Sequence, residues 1–474
     1  MINTKHNNTN NICEVDLISL SHDGRGIGRM DNKVIFITNA LPGQKVRAII
    51  TKSKKSFAEA KCLEVLKDSP DYIKAPCPHA DICGGCPLQS IPNSKQLFWK
   101  ERMLKDALER IAKLNPIQMQ TIQPIISSPK EFHYRNKMEF AFGHDELGEL
   151  TLGMRSKASH NVINVPHCKL LPTGCMDIIQ NILKSCKQLR LKAFNPNQEK
   201  PTQAEKEGIL RHLIIRCPHN LNSEGKGQLL INLIVSPCSK NLRLSLSRLG
   251  SNLMQMCPSI TGFILEERRS QSMIAEGEHV ITRLGQPYLY EKLDNINYKL
   301  NHNSFFQVNT EAATIMCKQI IAMTSDIKKE NACIWDMYCG VGAPGLNLAL
   351  AVKASNLYGV EINASAINMA KQNAKNNGLI EAHYETNDVK KAISKWPKPD
   401  LILVDPPRTG LDPKVIKICL QSKAKNIIYV SCNPATLARD LALLTQGYTL
   451  EKIVPIDFFP HTAHVESCTL LSLT

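Results

Sequence analysis

The sequence lacks the long apolar segments of membrane proteins and secreted precursors. No uncharged apolar run reaches the roughly 18 residues that a membrane-spanning helix needs. The opening stretch MINTKHNNTNN has no apolar segment of the kind found in secretory signals, so we expect a cytoplasmic protein. Because cytosolic thiols stay reduced, the 17 cysteines are expected to be buried residues, metal ligands or nucleophiles rather than disulfide partners.

The composition is not that of a disordered chain. Of the 474 residues, 43% are hydrophobic and 21% are charged, which is enough apolar material for about three domains. Lys and Arg number 58 against 43 Asp and Glu, a formal net charge of +15. This excess favours a polyanionic partner, above all nucleic acid, over an ordinary basic surface.

The spacing of apolar runs predicts three regions. Short runs separated by glycine turns over residues 13–67 predict a small β-barrel, which either binds oligonucleotides or acts as a spacer. Helical periodicity marks residues 93–114, with Leu97, Met103, Leu104, Leu108 and Ile111 on one face and Asn93 or Ser94 as the cap. Residues 131–300 mix short strands and helices. From about residue 301, strands alternate with helices, the pattern of a doubly wound parallel sheet.

A nucleotide-binding pattern lies in this last region. The run DMYCGVG, which begins at Asp336, follows an apolar strand and precedes a helical run, and Glu361 ends the next strand. Glycines allow the backbone to approach a ligand closely, and a carboxylate at that distance can accept both ribose hydroxyls. The third glycine of the dinucleotide fingerprint and the Walker lysine are both missing. These omissions favour S-adenosylmethionine over NAD or ATP.

Three reactive side chains follow later strands. Asp405 ends the strand LILVD, and Cys432 follows the strand NIIYVS, so both lie at the sheet edge where parallel sheets bind ligands. A cysteine in a loop at that edge is a candidate nucleophile rather than an inert thiol. Glu466 stands in an apolar run, where a carboxylate must be paired or functional unless the strand is at an edge.

Cysteines also cluster in the first third. Cys77, Cys83 and Cys86 fall within ten residues rich in glycine and proline, and Cys168 is a fourth candidate, with Cys62 and Cys175 as rivals. Four thiolates suit either tetrahedral zinc or an iron–sulfur cluster, and the spacing does not decide between the two.

These motifs, taken in order, resemble the RNA uracil-5-methyltransferase family. The resemblance covers nearly the whole chain and is carried by CPHADICGGCPLQ, YRNKMEFAF, VPHC, NSFFQVN, DMYCGVG, GVE, DPPRTGL, SCNP and PHTAHVES. It is strongest to the RlmD branch, which acts on 23S ribosomal RNA. The transfer-RNA branch typically lacks both the N-terminal TRAM barrel and the cysteine cluster, and the RlmC branch lacks the barrel.

The resemblance implies an architecture. The fold class expected is α/β, with a TRAM β-barrel that binds RNA over residues 1–68 and a central α+β domain with an iron–sulfur cluster over 69–300. A Rossmann-like S-adenosylmethionine methyltransferase domain would cover residues 301–474. No protein partner is implied, and we expect a monomer whose partner is 23S ribosomal RNA.

The resemblance also implies roles for individual residues. Cys432 matches the nucleophile and Glu466 the base. The cofactor-binding positions of the family match Gln307, Tyr338, Glu361, Asn387 and Asp405. Asp388 is an alternative to Asn387. Cys77, Cys83, Cys86 and Cys168 match the ligands of a [4Fe–4S] cluster, which favours iron over zinc. Ala343 departs from the family, which often has Asn there, and Pro344 is expected to fix the first helical turn instead.

The implied chemistry is methylation of uracil carbon 5 through a covalent bond between cysteine and carbon 6, on a base flipped out of the RNA stack. Three alternatives stay open at this stage. They are a transfer-RNA uracil-5-methyltransferase, an amino-group methyltransferase suggested by DPPR, and a catalytically silent RNA-binding or ribosome-assembly factor.

Overall fold

The computed structural model describes residues 11–474 apart from positions 31, 158 and 355 and the segments 196–207, 219–227 and 325–331. Within these ranges, none of the helices is both long and apolar enough to span a bilayer. Three sheets and one closed barrel organise the chain.

The N-terminal barrel contains five strands in the order β1-β2-β3-β5-β4. Alternating buried and exposed residues along the strands place a small apolar core inside it, as the sequence predicted. Antiparallel pairing of β1 with β4 closes the barrel, while β3 and β5 pair in parallel. The strands are β1 Ile12–Leu20, β2 Gly26–Met30, β3 Lys33–Thr38, β4 Lys45–Ser53 and β5 Phe57–Lys67.

A long helix, α1 (Asn93–Ala107), leads away from the barrel and continues as a π-helical turn, Leu108–Ala112. The predicted cap is wrong, since Pro92 precedes the helix and no side chain caps it. The buried face also differs from the predicted one, because it includes two polar side chains, Gln96 and Lys100, besides Met103 and Leu104. A short helix follows, α2 Pro116–Met119.

A mostly antiparallel sheet occupies the middle of the chain, in the order β12-β11-β10-β9-β6-β7-β8. Its strands are β6 Lys137–His144, β7 Leu150–Arg155, β8 Val162–Asn164, β9 Leu210–Arg216, β10 Leu229–Val235, β11 Ile260–Glu267 and β12 His279–Gly285. Two helices, α3 Cys175–Gln188 and α4 Lys240–Met256, pack on it with their apolar sides. The hairpin β13 Tyr288–Leu293 and β14 Ile296–Asn301 follows.

The last third is the doubly wound sheet that the sequence predicted, in the order β17-β16-β15-β18-β19-β21-β20. The first five strands in this order are parallel, and β21 is antiparallel to both of its neighbours. The strands are β15 Cys333–Met337, β16 Asn356–Glu361, β17 Ala382–Thr386, β18 Leu401–Val404, β19 Asn426–Ser431, β20 Tyr448–Ile456 and β21 Glu466–Leu473. The helices are α5 Thr310–Ala322, α6 Ala343–Val352, α7 Ala364–Asn376, α8 Val389–Ala392, α9 Pro413–Ser422 and α10 Pro434–Leu444.

The iron–sulfur cluster expected in the central region is a wrong prediction. Cys77, Cys83, Cys86 and Cys168 do line one cavity, but its volume is only about 20 Å³, roughly the space of one water molecule. Within the described ranges, no group of three or more His, Cys, Asp or Glu side chains is arranged to hold a metal ion. Burial raises the pKa of Cys86 to about 12 and that of Cys168 to about 11.

The packing of α1 gives the first prediction. Leu104 is fully buried in a cluster with Ile427 and Leu437 of the last third. Leu104→Ala should lower the free energy of unfolding by about 2–5 kcal/mol, because the deletion leaves a cavity. The matched control is Phe98→Ala on the exposed side of the same helix, where 52% of the side chain is accessible. Denaturant unfolding monitored by circular dichroism measures both, and equal effects would contradict this packing.

Candidate active site

One large cavity, about 900 Å³, opens at the carboxyl ends of the parallel strands. Ligands of doubly wound sheets bind at this edge, because the loops that follow the strands converge there. Its volume is that of a site for a cofactor-sized molecule. The cavity brings together all seven catalytic and cofactor-binding residues predicted from the sequence, namely Gln307, Tyr338, Glu361, Asn387, Asp405, Cys432 and Glu466.

The loop after β15 leaves open space where a ligand can approach the backbone. Tyr338, Gly340 and Gly342 all have positive φ, between 53° and 85°, so the chain turns sharply before α6. Apart from Gly340 itself and its two chain neighbours, no heavy atom of the described residues lies within 4 Å of the position that a Cβ of Gly340 would take. Pro344 stands in the first turn of α6, as predicted.

Two further loops present polar side chains on the same side. Glu361 ends β16, and its carboxylate accepts a hydrogen bond from the backbone N–H of Asn363 at 2.9 Å. Asn387 donates its backbone N–H to the carbonyl of Glu361 at 3.1 Å, which fixes it next to that carboxylate. The alternative residue, Asp388, also lines the cavity, but its side chain caps α8 by accepting the N–H of Lys390.

The candidate nucleophile and base are brought together by strand register. In the antiparallel ladder between β19 and β21, Ser431 is paired with Ser467. The residue after Ser431 is Cys432 and the residue before Ser467 is Glu466, so the two face each other where the ladder ends. Both side chains line the cavity.

Burial dominates the electrostatics of this pair. It raises the pKa of Glu466 well above its usual range, and the nearby Asp405 carboxyl adds to the effect. The pKa of Cys432 is raised to about 11 by burial and by the Glu466 and Asp405 carboxyls, which the Arg408 guanidinium opposes. Burial alone raises the pKa of Asp405 to about 7. The cavity therefore disfavours negative charge until a cation enters it.

Three residues of the cavity wall, Asp336, Arg408 and His464, lie within the sequence motifs but were not predicted as site residues. Asp336 is buried beneath the loop after β15, and burial followed by the Asp405 and Glu361 carboxyls raises its pKa to about 8. Arg408 and His464 lie at the side of the cavity near Cys432, with 3.5 Å between Nη2 and Nε2. The signal for Asp336 was its place at the end of a buried strand. Arg408 and His464 became recognisable only when the fold brought their loops together.

Comparison with known proteins shows which family the chain is similar to. A family profile described as tRNA (Uracil-5-)-methyltransferase matches residues 266–474, and a TRAM domain profile matches residues 9–63. The crystal structure of the Pyrococcus abyssi tRNA (uracil-54, C5)-methyltransferase in complex with S-adenosyl-L-homocysteine is similar over 97% of this chain and 100% of that chain. The TM-score is 0.72 and the sequence identity 25%.

Two bacterial relatives match over almost their full lengths. An uncharacterized RNA methyltransferase of Nitratidesulfovibrio vulgaris is 35% identical over 97% of this chain and 95% of its own. Another from Halalkalibacterium halodurans is 32% identical over 98% of both chains. The protein described here therefore belongs to the S-adenosylmethionine-dependent RNA uracil-5-methyltransferase family.

Proposed function

We propose that the protein methylates carbon 5 of a specific uridine in 23S ribosomal RNA, with Cys432 as nucleophile and Glu466 as base. The observation that carries this proposal is the placement of Cys432 opposite Glu466 in a cavity that is also lined by the residues predicted to bind the cofactor. A thiolate and a carboxylate are the two groups that this chemistry requires.

The cavity fits S-adenosylmethionine. The open space over Gly340 leaves room for a ligand against the backbone, and the Glu361 carboxylate at the end of β16 suits ribose hydroxyls. The buried carboxyls of Asp336 and Asp405 favour a ligand that carries positive charge. The bound cofactor would supply a methyl group on a sulfonium. Residues of this chain perform the remaining steps.

Cys432 would begin the reaction. After the thiol has lost its proton to solvent, the thiolate sulfur forms a bond to carbon 6 of the uracil, and the electrons of the carbon 5–carbon 6 double bond move onto the adjacent carbonyl to give an enolate. Carbon 5 then carries enough electron density to take the methyl group. The Arg408 guanidinium favours the thiolate, because it lowers the pKa of Cys432 against the effect of the carboxyls.

Glu466 would complete the reaction. After methylation, carbon 5 still carries its proton, which a carboxylate removes. The electron pair of that C–H bond restores the double bond, and the bond between carbon 6 and sulfur breaks, which returns its electrons to Cys432. Burial raises the pKa of Glu466, so the carboxylate is a stronger base than one in water.

The choice of ribosomal RNA rests on the combination of the TRAM barrel with the run CPHADICGGCPLQ, which resembles the branch that acts on 23S ribosomal RNA. The net charge of +15 suits a large polyanion of either kind. Transfer RNA is the second candidate, because the Pyrococcus abyssi enzyme, which acts on uracil 54 of tRNA, is similar over nearly the whole chain.

The experiment that tests this function is mapping of 5-methyluridine in total RNA. Cells that lack the gene should lose the modification at a site in 23S ribosomal RNA, and wild-type protein should restore it. Cys432→Ala should not restore it, because no covalent adduct can form. Loss from transfer RNA alone would support the second candidate. Full restoration by Cys432→Ala would contradict the nucleophile assignment and favour amino-group methylation.

A second prediction concerns Glu466. Glu466→Gln keeps the shape of the side chain but removes the base, so the methylated adduct can form and cannot decay. We expect a protein–RNA adduct that survives a denaturing gel, together with a fall in turnover of about 10²–10⁴-fold. The matched control is Glu466→Gln combined with Cys432→Ala, which should give no adduct. Wild-type turnover in Glu466→Gln would overturn the base assignment.

A third prediction concerns pH. Because the pKa of Cys432 is about 11, the thiolate fraction should rise about tenfold per pH unit well below that value. Iodoacetamide labelling of Cys432 in the free protein, followed by peptide mass spectrometry, should therefore accelerate about tenfold per unit from pH 7 to pH 9. Arg408→Gln should slow it further, since the opposing cation is gone. A labelling rate independent of pH in this interval would contradict the raised pKa.

A further inference from the structure

The loop between β20 and β21, residues 457–465, is held by side chains from distant parts of the chain. It joins Ile456 directly to Glu466 and also carries Phe459 and His464 into the cavity wall. His461 has a φ of +68°, a left-handed conformation that a residue other than glycine keeps only when its surroundings enforce it.

Helix α1 supplies the strongest restraint. The Lys100 ammonium lies 2.6 Å from a carboxylate oxygen of Asp457 and 3.0 Å from the carbonyl oxygen of Phe459. Both charged side chains are fully buried. The same Asp457 oxygen accepts the backbone N–H of Phe459 at 3.2 Å. One ammonium therefore fixes the first turn of the loop from outside the catalytic sheet.

A second restraint from α1 acts at His461. The backbone N–H of His461 donates to Oε1 of Gln96 at 2.7 Å, and Nε2 of Gln96 lies 3.2 Å from the imidazole Nδ1. The His461 carbonyl accepts the N–H of Leu88 at 2.9 Å. Phe132 stacks on the imidazole with 4.3 Å between ring centroids. These contacts enforce the left-handed turn five residues before Glu466.

We propose that Lys100 and Gln96 are positioning residues for the proton-removal step, because they hold loop 457–465 in the conformation from which Glu466 reaches carbon 5. This inference rests on the proposed role of Glu466. Cys432 follows β19, and among the described residues neither Lys100 nor Gln96 hydrogen-bonds to it. Formation of the adduct should therefore depend on these two residues less than its decay does. A misplacement of about 1 Å at the base costs up to about 10²-fold in rate.

The test separates positioning from simple stability. The double variant Lys100→Met with Asp457→Asn removes both charges and leaves no unpaired buried ion, since removal of one partner alone would destabilise the fold strongly. Gln96→Leu is a second variant that removes both contacts with His461 without touching a charge. Lys105→Met is the matched control on the same helix, because the Lys105 side chain is 42% exposed and pairs with Glu101 at the surface.

The measurements are turnover, the fraction of enzyme in a denaturation-resistant adduct with RNA, and cofactor affinity. We expect both test variants to lose about 10- to 100-fold in turnover, to accumulate adduct as Glu466→Gln does, and to bind S-adenosylmethionine as wild type does. Lys105→Met should match wild type throughout. If the double variant does not fold, Gln96→Leu carries the same test.

Three outcomes would overturn the inference. Turnover within twofold of wild type, or a loss of turnover without adduct accumulation, would assign these residues to stability alone. If Glu466→Gln accumulates adduct and the positioning variants do not, the positioning role fails while the base role stands. If Glu466→Gln itself accumulates no adduct, the base role fails and the positioning role fails with it.

Discussion

The constraint on which the site depends is the burial of three carboxyl groups and a thiol around one cavity. Asp336, Asp405, Glu466 and Cys432 all have raised pKa values, and burial is the leading cause at each. Carboxyls crowded in this way resist ionisation until positive charge is added. The Arg408 guanidinium opposes the rise in pKa at Glu466 and Cys432. A cationic cofactor is therefore an electrostatic complement of the cavity as well as a methyl donor.

The topology of the last sheet explains how the proposed nucleophile, Cys432, and the proposed base, Glu466, meet. In a sheet of parallel strands alone, Cys432 would still lie at the edge where ligands bind. The residue beside it on a neighbouring strand would then belong to another loop that follows a strand. Because β21 is antiparallel to β19, the beginning of β21 lies beside the end of β19. Glu466 is thereby held by backbone pairing on both sides, to β19 through Ser467 and to β20 through Ile456.

The local pattern of the sequence was sufficient to predict some features of the structure and insufficient for others. The barrel and the doubly wound sheet were predictable, because the alternation of apolar and polar residues and the spacing of strands and helices are local properties of the sequence. Cys432 and Asp405 could be chosen as candidate site residues from their place after buried strands. The iron–sulfur prediction was wrong because spacing in the chain does not report the size of the cavity that the four thiols enclose. The buried face of α1 was missed in part because Gln96 and Lys100 are polar. Partners in a loop more than 350 residues away help to make their burial favourable.

The contacts of loop 457–465 show why the barrel, the central region and the last third of the chain are not independent. A loop with no ladder of its own must find partners for its backbone elsewhere. Loop 457–465 takes them from α1, from Tyr134, whose hydroxyl donates to the Pro460 carbonyl at 3.3 Å, and from Asn309, whose amide donates to the Phe458 carbonyl at 3.0 Å. Ala463 also packs in an apolar cluster with Leu20 and Leu41 of the barrel region. The sequence of the last third therefore encodes the cavity, but the conformation of the loop that delivers Glu466 is set by residues from every earlier region.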